Sequence, residues 1–206
     1  VKVAFRIVSW FNDTMQKKHI ITLAGKLGSG KSSTGKLIAQ LLNYQHTSTG
    51  DFMRAMAEER GVTLGDLQKI AETDPSIDNT IDAKSVELRN KENIIIDSRL
   101  AFHFIPESFK VFLELAPEIA AERILKDKEN NPARHNESSE AFDTPEHIVK
   151  AITERLESER KRYKDIYGIE DQTDHANFDL VINTATIPLP EVANTIIEKY
   201  NEWLKS

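Results

Sequence analysis

Gly25-Lys26-Leu27-Gly28-Ser29-Gly30-Lys31-Ser32 constrains the fold of this chain more than any other stretch. It follows Ile20-Ile21-Thr22-Leu23-Ala24, a short β-rich apolar run, and precedes Ser32 to Leu42, where Leu37, Ile38, Leu41 and Leu42 recur at helical spacing. A G-x-x-x-x-G-K-S string between a strand and a helix has a physical purpose. Small residues let consecutive N–H groups turn inward onto phosphate oxygens, and the helix N-terminus adds positive potential. Lys31 then reaches the β and γ phosphates, and the Ser32 hydroxyl can ligate Mg²⁺. By chance such a string arises in roughly one chain in a hundred of this length. We therefore expect a phosphate-binding loop for a nucleoside triphosphate, with Gly25, Gly28, Ser29, Gly30, Lys31, Ser32 and Ser33 as its binding residues.

The rest of the chain alternates strands and helices. Asp51 is expected to cap a helix running to Arg60 and stopped by Gly61. Thr63 followed by Asp66 resembles a capping box, and Asp74-Pro75 opens a helix to about Asn90. These helices form an all-helical insert of about 51–90. Ile94-Ile95-Ile96 and Phe109 to Leu115 read as buried strands, and Pro117 to Lys126 as a helix. Thr144-Pro145-Glu146 starts a long helix ending at Gly168, Phe178 to Ile182 is the last strand, and Pro190 to Leu204 the closing helix. This alternation predicts an α/β fold of three layers, with a five-stranded parallel sheet covered by helices on both faces. Residues 15–206 are read as one domain, with a polar lid region within about 127–165, of which 128–143 is expected to be mobile. Val1 to Thr14 are read as an extension, with translation expected to begin at Met15; they lack the pattern of a secretory signal.

Composition excludes several classes. The 206 residues contain no cysteine, so neither disulfides nor a thiolate metal site are possible, and a reducing cytoplasm is the expected setting. A net charge of −6 argues against a nucleic-acid coat, and no apolar run is long enough to span a membrane. An anionic substrate must then meet a local cluster of cations. A GTPase is disfavoured, because the only Asp-x-x-Gly is Asp165 to Gly168, at a helix end, and Asn90-Lys91-Glu92-Asn93 lacks the aspartate of a guanine reader. Asp97, directly after Ile94-Ile95-Ile96, stands where a strand-end carboxylate can hold Mg²⁺ or its water shell.

Ser48-Thr49-Gly50-Asp51-Phe52-Met53-Arg54 resembles the stretch that opens the acceptor-binding helical domain of nucleoside monophosphate kinases. Ile94 to Ala101, with Arg99 after the strand, and the helix Glu154 to Gly168 are together similar to the archaeal-type cytidylate kinases. The likeness runs from about His19 to the C-terminus and takes in Asp74 to Asp78, Ala121 to Ile124 and Phe178 to Thr184. It implies a P-loop NTPase fold and Mg²⁺-dependent transfer of the γ-phosphoryl group of ATP to CMP or dCMP, in a cytoplasmic protein expected to be a monomer. It implies Ser48, Thr49, Gly50, Arg54 and Arg99 around the acceptor phosphate, and Lys31, Asp97, Arg155 and Arg162 in transfer, with Ser32 and Asp97 toward the metal. Arg123 is a candidate for the donor's adenine or phosphates, against a surface ion pair. Arg155, Ser158 and Arg162 share one helix face, at i, i+3 and i+7, beside the apolar stripe of Ile148, Ile152, Leu156, Tyr163 and Tyr167. Spacing alone makes that face, with Glu157 and Glu159, a solvated ion-pair surface; the resemblance makes it a lid surface. His103 reads as packing or pocket lining, since transfer to an anionic phosphate oxygen needs no general base. Asp78 and Asp82 are candidates for reading a base amino group, with solvated surface as the stronger expectation. Adenylate kinase is the first alternative, and an ATP-sensing regulator that uses the same loop without transfer is the second.

Overall fold

The computed structural model describes residues 17–130 and 144–206, with the backbone alone for 128–130. The expected extension at 1–14 and most of the polar stretch at 128–143 lie outside the described residues.

Five strands form one sheet: β1 (Ile20–Gly25), β2 (Gln45–Ser48), β3 (Ile94–Asp97), β4 (Phe109–Glu114) and β5 (Leu180–Asn183). They are all parallel, in the order β2-β3-β1-β4-β5. Parallel strands need crossover connections, and here helices supply them: α1 (Lys31–Leu42), α2 (Thr49–Glu59), α3 (Leu64–Ala71), α4 (Pro75–Leu88), α5 (Ala101–Phe104), α6 (Pro117–Asn130) and α7 (Pro145–Tyr167), with α8 (Leu189–Lys205) following the last strand.

Side-chain alternation divides the core into layers. Ile21, Leu23, Ile95, Val111 and Leu113 pack with Ile38 of α1 and Val192, Ile196 and Tyr200 of α8. Ile20, Ile94 and Ile96 point the other way, onto Leu88, Ala101 and Ile105. The three-layer expectation is met. The insert α2–α4 carries a small core of its own, Met56, Ala57, Leu67, Ala71 and Ile77.

Local signals explain most boundaries. Thr63 accepts from the Asp66 N–H, Asp74 from Ser76 and Thr144 from His147, so each caps the helix expected of it. Gly168 ends α7 in the left-handed conformation. Asp51 is not a cap: α2 begins two residues earlier, after Ser48, and Asp51 lies in its first turn, where a carboxylate favours the helix dipole. β5 starts at Leu180 rather than Phe178, whose ring instead packs on Phe102 and Phe112. The short helix α5 is an addition that the sequence reading did not contain.

The sheet order creates the site. From β1 the chain crosses to β2 on one side, whereas from β3 it crosses to β4 on the other, and β1 and β3 are neighbours. Ligands in open α/β sheets bind in the crevice that such a reversal opens at the carboxyl ends of the strands. Gly25 ends β1, Asp97 ends β3, and register sets Ser48 of β2 opposite Asp97.

Candidate active site

The loop Gly25–Ser32 leaves β1 and turns into α1 with Gly30 at the N-cap, in the left-handed region at φ 87°. Gly25 has a second constraint. At φ 147° a Cβ there would lie 2.4 Å from the Leu113 carbonyl oxygen of β4, closer than atoms approach. Gly25→Ala is expected to push the loop off β4 and lower both thermal stability and nucleotide affinity, measured by calorimetry and ATP titration; an unshifted melting temperature would contradict it.

Lys31 folds back over the loop and donates to the carbonyls of Gly25 (2.8 Å) and Lys26 (2.9 Å). Burial pushes its ammonium down to about 8, opposed by Asp97, while Arg99 and Arg155 push it further down. Arg99 and Arg155 line the cavity beside Gly25 and Lys26, the two residues whose carbonyls hold Lys31. The Ser32 hydroxyl donates to Asp97 Oδ2 at 2.5 Å, and Ser48 donates to the same oxygen at 3.3 Å. Asp97 is buried. Thr49 donates to the Asp97 carbonyl at 3.4 Å. The expected loop, strand-end and acceptor-turn residues are thus brought together.

Hard oxygen donors at Ser32 and Asp97 suit a Mg²⁺ ion that takes its remaining ligands from phosphate and water. Among the described residues no cluster of three or more His, Cys, Asp or Glu side chains forms a self-sufficient metal cage.

Arg54 pairs with Asp51 one helical turn back, its terminal nitrogens 3.8 Å from where a Gly50 Cβ would sit. Arg99 and Arg155 meet at one carboxylate: Glu159 stands 2.9 Å from Arg99 Nε and accepts from Arg155 Nε at 2.9 Å. Burial alone would push Glu159 up, but Arg99 and Arg155 together outweigh it and hold the carboxylate below its ordinary range. This corrects the solvated-face reading of Glu159, which is 6% exposed. Its partner Arg99 lies sixty positions away in the chain, so helix spacing could not reveal the pair.

The α7 face carrying Arg155, Ser158 and Arg162 meets the insert. With its amide oxygen turned toward Arg155, Gln68 accepts from Nη1 (3.0 Å) and Nη2 (2.7 Å). Ser158 donates to Glu72 at 2.6 Å, Arg162 Nε stands 2.7 Å from Asp78 Oδ2, and Tyr167 donates to Asp82 Oδ2 at 2.6 Å. Asp78 and Asp82 are therefore no solvated surface; Asp78 is buried and Asp82 partly so. Burial pushes both carboxyls up, opposed by Arg162 at Asp78 and by Tyr167 at Asp82. Between the insert, α5 and α7 lies a cavity with about 40 Å³ of free space, lined by Met53, Ile81, Asp82, Phe104, Arg155 and Tyr167 among others. That holds a few waters and no nucleobase. His103 is exposed, its ring 5.9 Å from that of Tyr167 at the outer side of this packing.

Arg123 is not a surface ion pair. It donates to the Thr184 carbonyl (2.5 Å) and the Ala185 carbonyl (3.1 Å), tying α6 to the turn after β5.

A P-loop at the reversal point of a five-stranded parallel sheet, with the Ser48–Gly50 turn beside it and Arg99 and Arg155 lining the adjoining cavities, defines a P-loop phosphotransferase of the small-molecule kinase class. Comparisons with known proteins agree. A family model described as an AAA domain matches residues 21–143. The structure is similar to shikimate kinase from Bacteroides thetaiotaomicron, with a TM-score of 0.59 at 18% identity, covering 91% of this chain and 98% of that one. Cytidylate kinase of Halobacterium salinarum is 35% identical over 187 residues, 89% of this chain and 90% of that protein. The chain belongs to the archaeal-type cytidylate kinase family. It is also 40% identical over 184 residues to an S-adenosylmethionine-dependent nucleotide dehydratase of Lacinutrix mariniflava, of whose length it spans 36%. Among the described residues no helix is long and apolar enough to cross a membrane.

Proposed function

We propose that this chain transfers the γ-phosphoryl group of ATP to CMP or dCMP, giving ADP and the cytidine diphosphate. The single observation that carries this is that Arg99 and Arg155 line both halves of the space between the triphosphate loop and the insert, the cavity beside Gly25 and Lys26 and the one under the insert. A protein that only sensed ATP would have no use for the second half of that space.

In this reading the loop amides and Lys31 hold the β and γ phosphates of the donor. Ser48, Thr49, Gly50, Arg54 and Arg99 hold the acceptor phosphate at the N-terminus of α2, where N–H groups and the dipole favour an anion. Arg155 exchanges Gln68 for phosphate oxygens, and Arg162, held at Nε by Asp78, presents its outer fork to the transferred group. Mg²⁺, held by Ser32 and Asp97 with the phosphates, would supply charge neutralisation. The nucleophile is a phosphate oxygen already anionic, so positioning and charge carry the catalysis.

The contacts from α7 to the insert close the acceptor cavity below the size of a base. Entry of the nucleotide therefore requires the insert and α7 to part, and reclosing excludes water from ATP. The insert's separate core suits it to move as one body. Within the cavity we assign Asp82 to the cytosine amino group, with Met53, Ile81 and Phe104 against the ring. We read the protein as a cytoplasmic monomer acting without nucleic acid, supported by its acidic charge and absence of cysteine.

The test is ADP release from Mg²⁺-ATP, screened over CMP, dCMP, UMP, AMP, GMP and dTMP. Preference for CMP or dCMP is expected. Preference for AMP would make it an adenylate kinase, and ATP binding without any acceptor-dependent release would favour a sensor.

A further inference from the structure

Glu159 is a buried carboxylate of the site, set between two arginines, that phosphate chemistry gives no reason for. It is an anion set among the cations that are to receive anions. Its geometry supplies the reason. The carboxylate takes each arginine at Nε, the nitrogen nearest the chain, Arg155 through Oε1 and Arg99 through Oε2. The outer fork of Arg155 is left to Gln68, a neutral amide. Hydrogen bonds between ionised groups are roughly twice as strong as neutral ones. Incoming phosphate therefore displaces the amide and leaves the carboxylate in place.

Charge argues the same way. Arg99 and Arg155 line the same cavity as Arg162, and of the other carboxylates there Asp78 is taken by Arg162 and Asp82 by Tyr167. Two guanidiniums that repel one another need a counter-charge between them to stay on the same cavity wall, and both line the cavities on either side of Glu159. Being on α7 with Arg155, and ion-paired with Arg99 just beyond β3, Glu159 couples the lid helix to the sheet edge.

We infer that Glu159 is a positioning residue for phosphoryl transfer: it anchors Arg99 and Arg155 by their inner nitrogens so that their outer forks are presented together to the acceptor and transferred phosphates. The inference rests on the kinase reading above. It assigns Glu159 no contact with substrate.

The test is a double-mutant cycle in kcat on the full chain, Glu159→Gln with Arg155→Ala, together with separate KM values for ATP and CMP. Glu159→Gln keeps the shape and one acceptor oxygen but removes the charge. It is expected to lower kcat on the order of tenfold, the size that coupling within one ion-pair network reaches, and to raise the CMP KM. The ATP KM should stay within about twofold, because the loop is untouched. In the Arg155→Ala background the same change should cost kcat less than about threefold. Additive losses in the cycle, or equal rises in both KM values, would mean that Glu159 merely supports the fold and would overturn the inference. Glu159→Asp, which keeps the charge on a shorter arm, carries the same cycle if the glutamine variant does not fold, and should retain more activity than Glu159→Gln if both do. Failure of the kinase reading is separately visible: it would leave the unaltered protein without CMP-dependent ADP release.

Discussion

Lys31→Ala is expected to lower kcat by at least about two orders of magnitude, with little change in melting temperature. The magnitude follows from where the ammonium sits. Lys31 is held over the loop by two neutral carbonyls, Gly25 and Lys26, in a space dry enough to push it down to about 8. Charge–charge attraction is far stronger there than in water, so the ammonium gains most when phosphate replaces the carbonyls, and more as negative charge moves onto the leaving oxygen. Removing it leaves the converging Arg99 and Arg155 without their partner on the donor side. Stability should hold, since the loop is shaped independently of this side chain by the Gly25, Gly28 and Gly30 conformations and by the Thr34 to Gly30 backbone bond at 2.9 Å. Steady-state ADP release at saturating ATP and CMP, beside a calorimetric scan, checks both parts. Near-normal turnover would refute the role of Lys31, and a collapsed melting temperature would refute the independence of the loop.

Arg123 puts a half-buried guanidinium to structural use. Its Nη2 donates to the carbonyls of Thr184 and Ala185. It fixes the turn after β5 against α6, and the Thr184 hydroxyl in turn donates to the Ser29 carbonyl of the phosphate loop at 3.2 Å. The arginine thus reaches the donor site through the backbone that shapes it.

What the sequence made legible was whatever is encoded locally. Thr63, Asp74, Thr144 and Gly168 mark helix ends because a capping bond or a left-handed residue depends on neighbours a few positions away. The loop, Asp97 and the turn at Ser48 are legible because strand ends of a parallel sheet converge at one edge. Asp51 misled because two residue types able to cap stand close together, and Ser48, as the last residue of β2, had already turned the chain. Glu159, Asp78 and Asp82 were beyond local reasoning for a further reason. Acidic residues on helices flanked by basic ones look solvated unless the partner across space is known. Here those partners come from elsewhere, Arg99 for Glu159, Arg162 for Asp78 and Tyr167 for Asp82. The short α5 was missed because four residues carry no helical period.

Asp82→Asn should change which base the site accepts. Cytosine presents an amino donor where uracil presents a carbonyl acceptor, and the two bases are otherwise almost the same size and shape. An ionised carboxylate only accepts, so it binds the amino group and repels the carbonyl. Asp82 is fitted for this: Tyr167 takes Oδ2, Oδ1 accepts from none of the described residues, and partial burial raises the cost of leaving it unmatched. Asparagine at the same place keeps an oxygen for Tyr167 and offers an amide hydrogen to a carbonyl. The ratio of kcat/KM for CMP over UMP is therefore expected to fall on the order of a hundredfold, the sum of one charged hydrogen bond lost and one mismatch relieved. Turnover with saturating CMP should fall much less, because Lys31, Arg99 and Arg155 are untouched. An unchanged ratio would remove Asp82 from base recognition and leave it as a partner for Tyr167, with pyrimidine choice then resting on the apolar walls of Met53, Ile81 and Phe104, which cannot tell an amino group from a carbonyl.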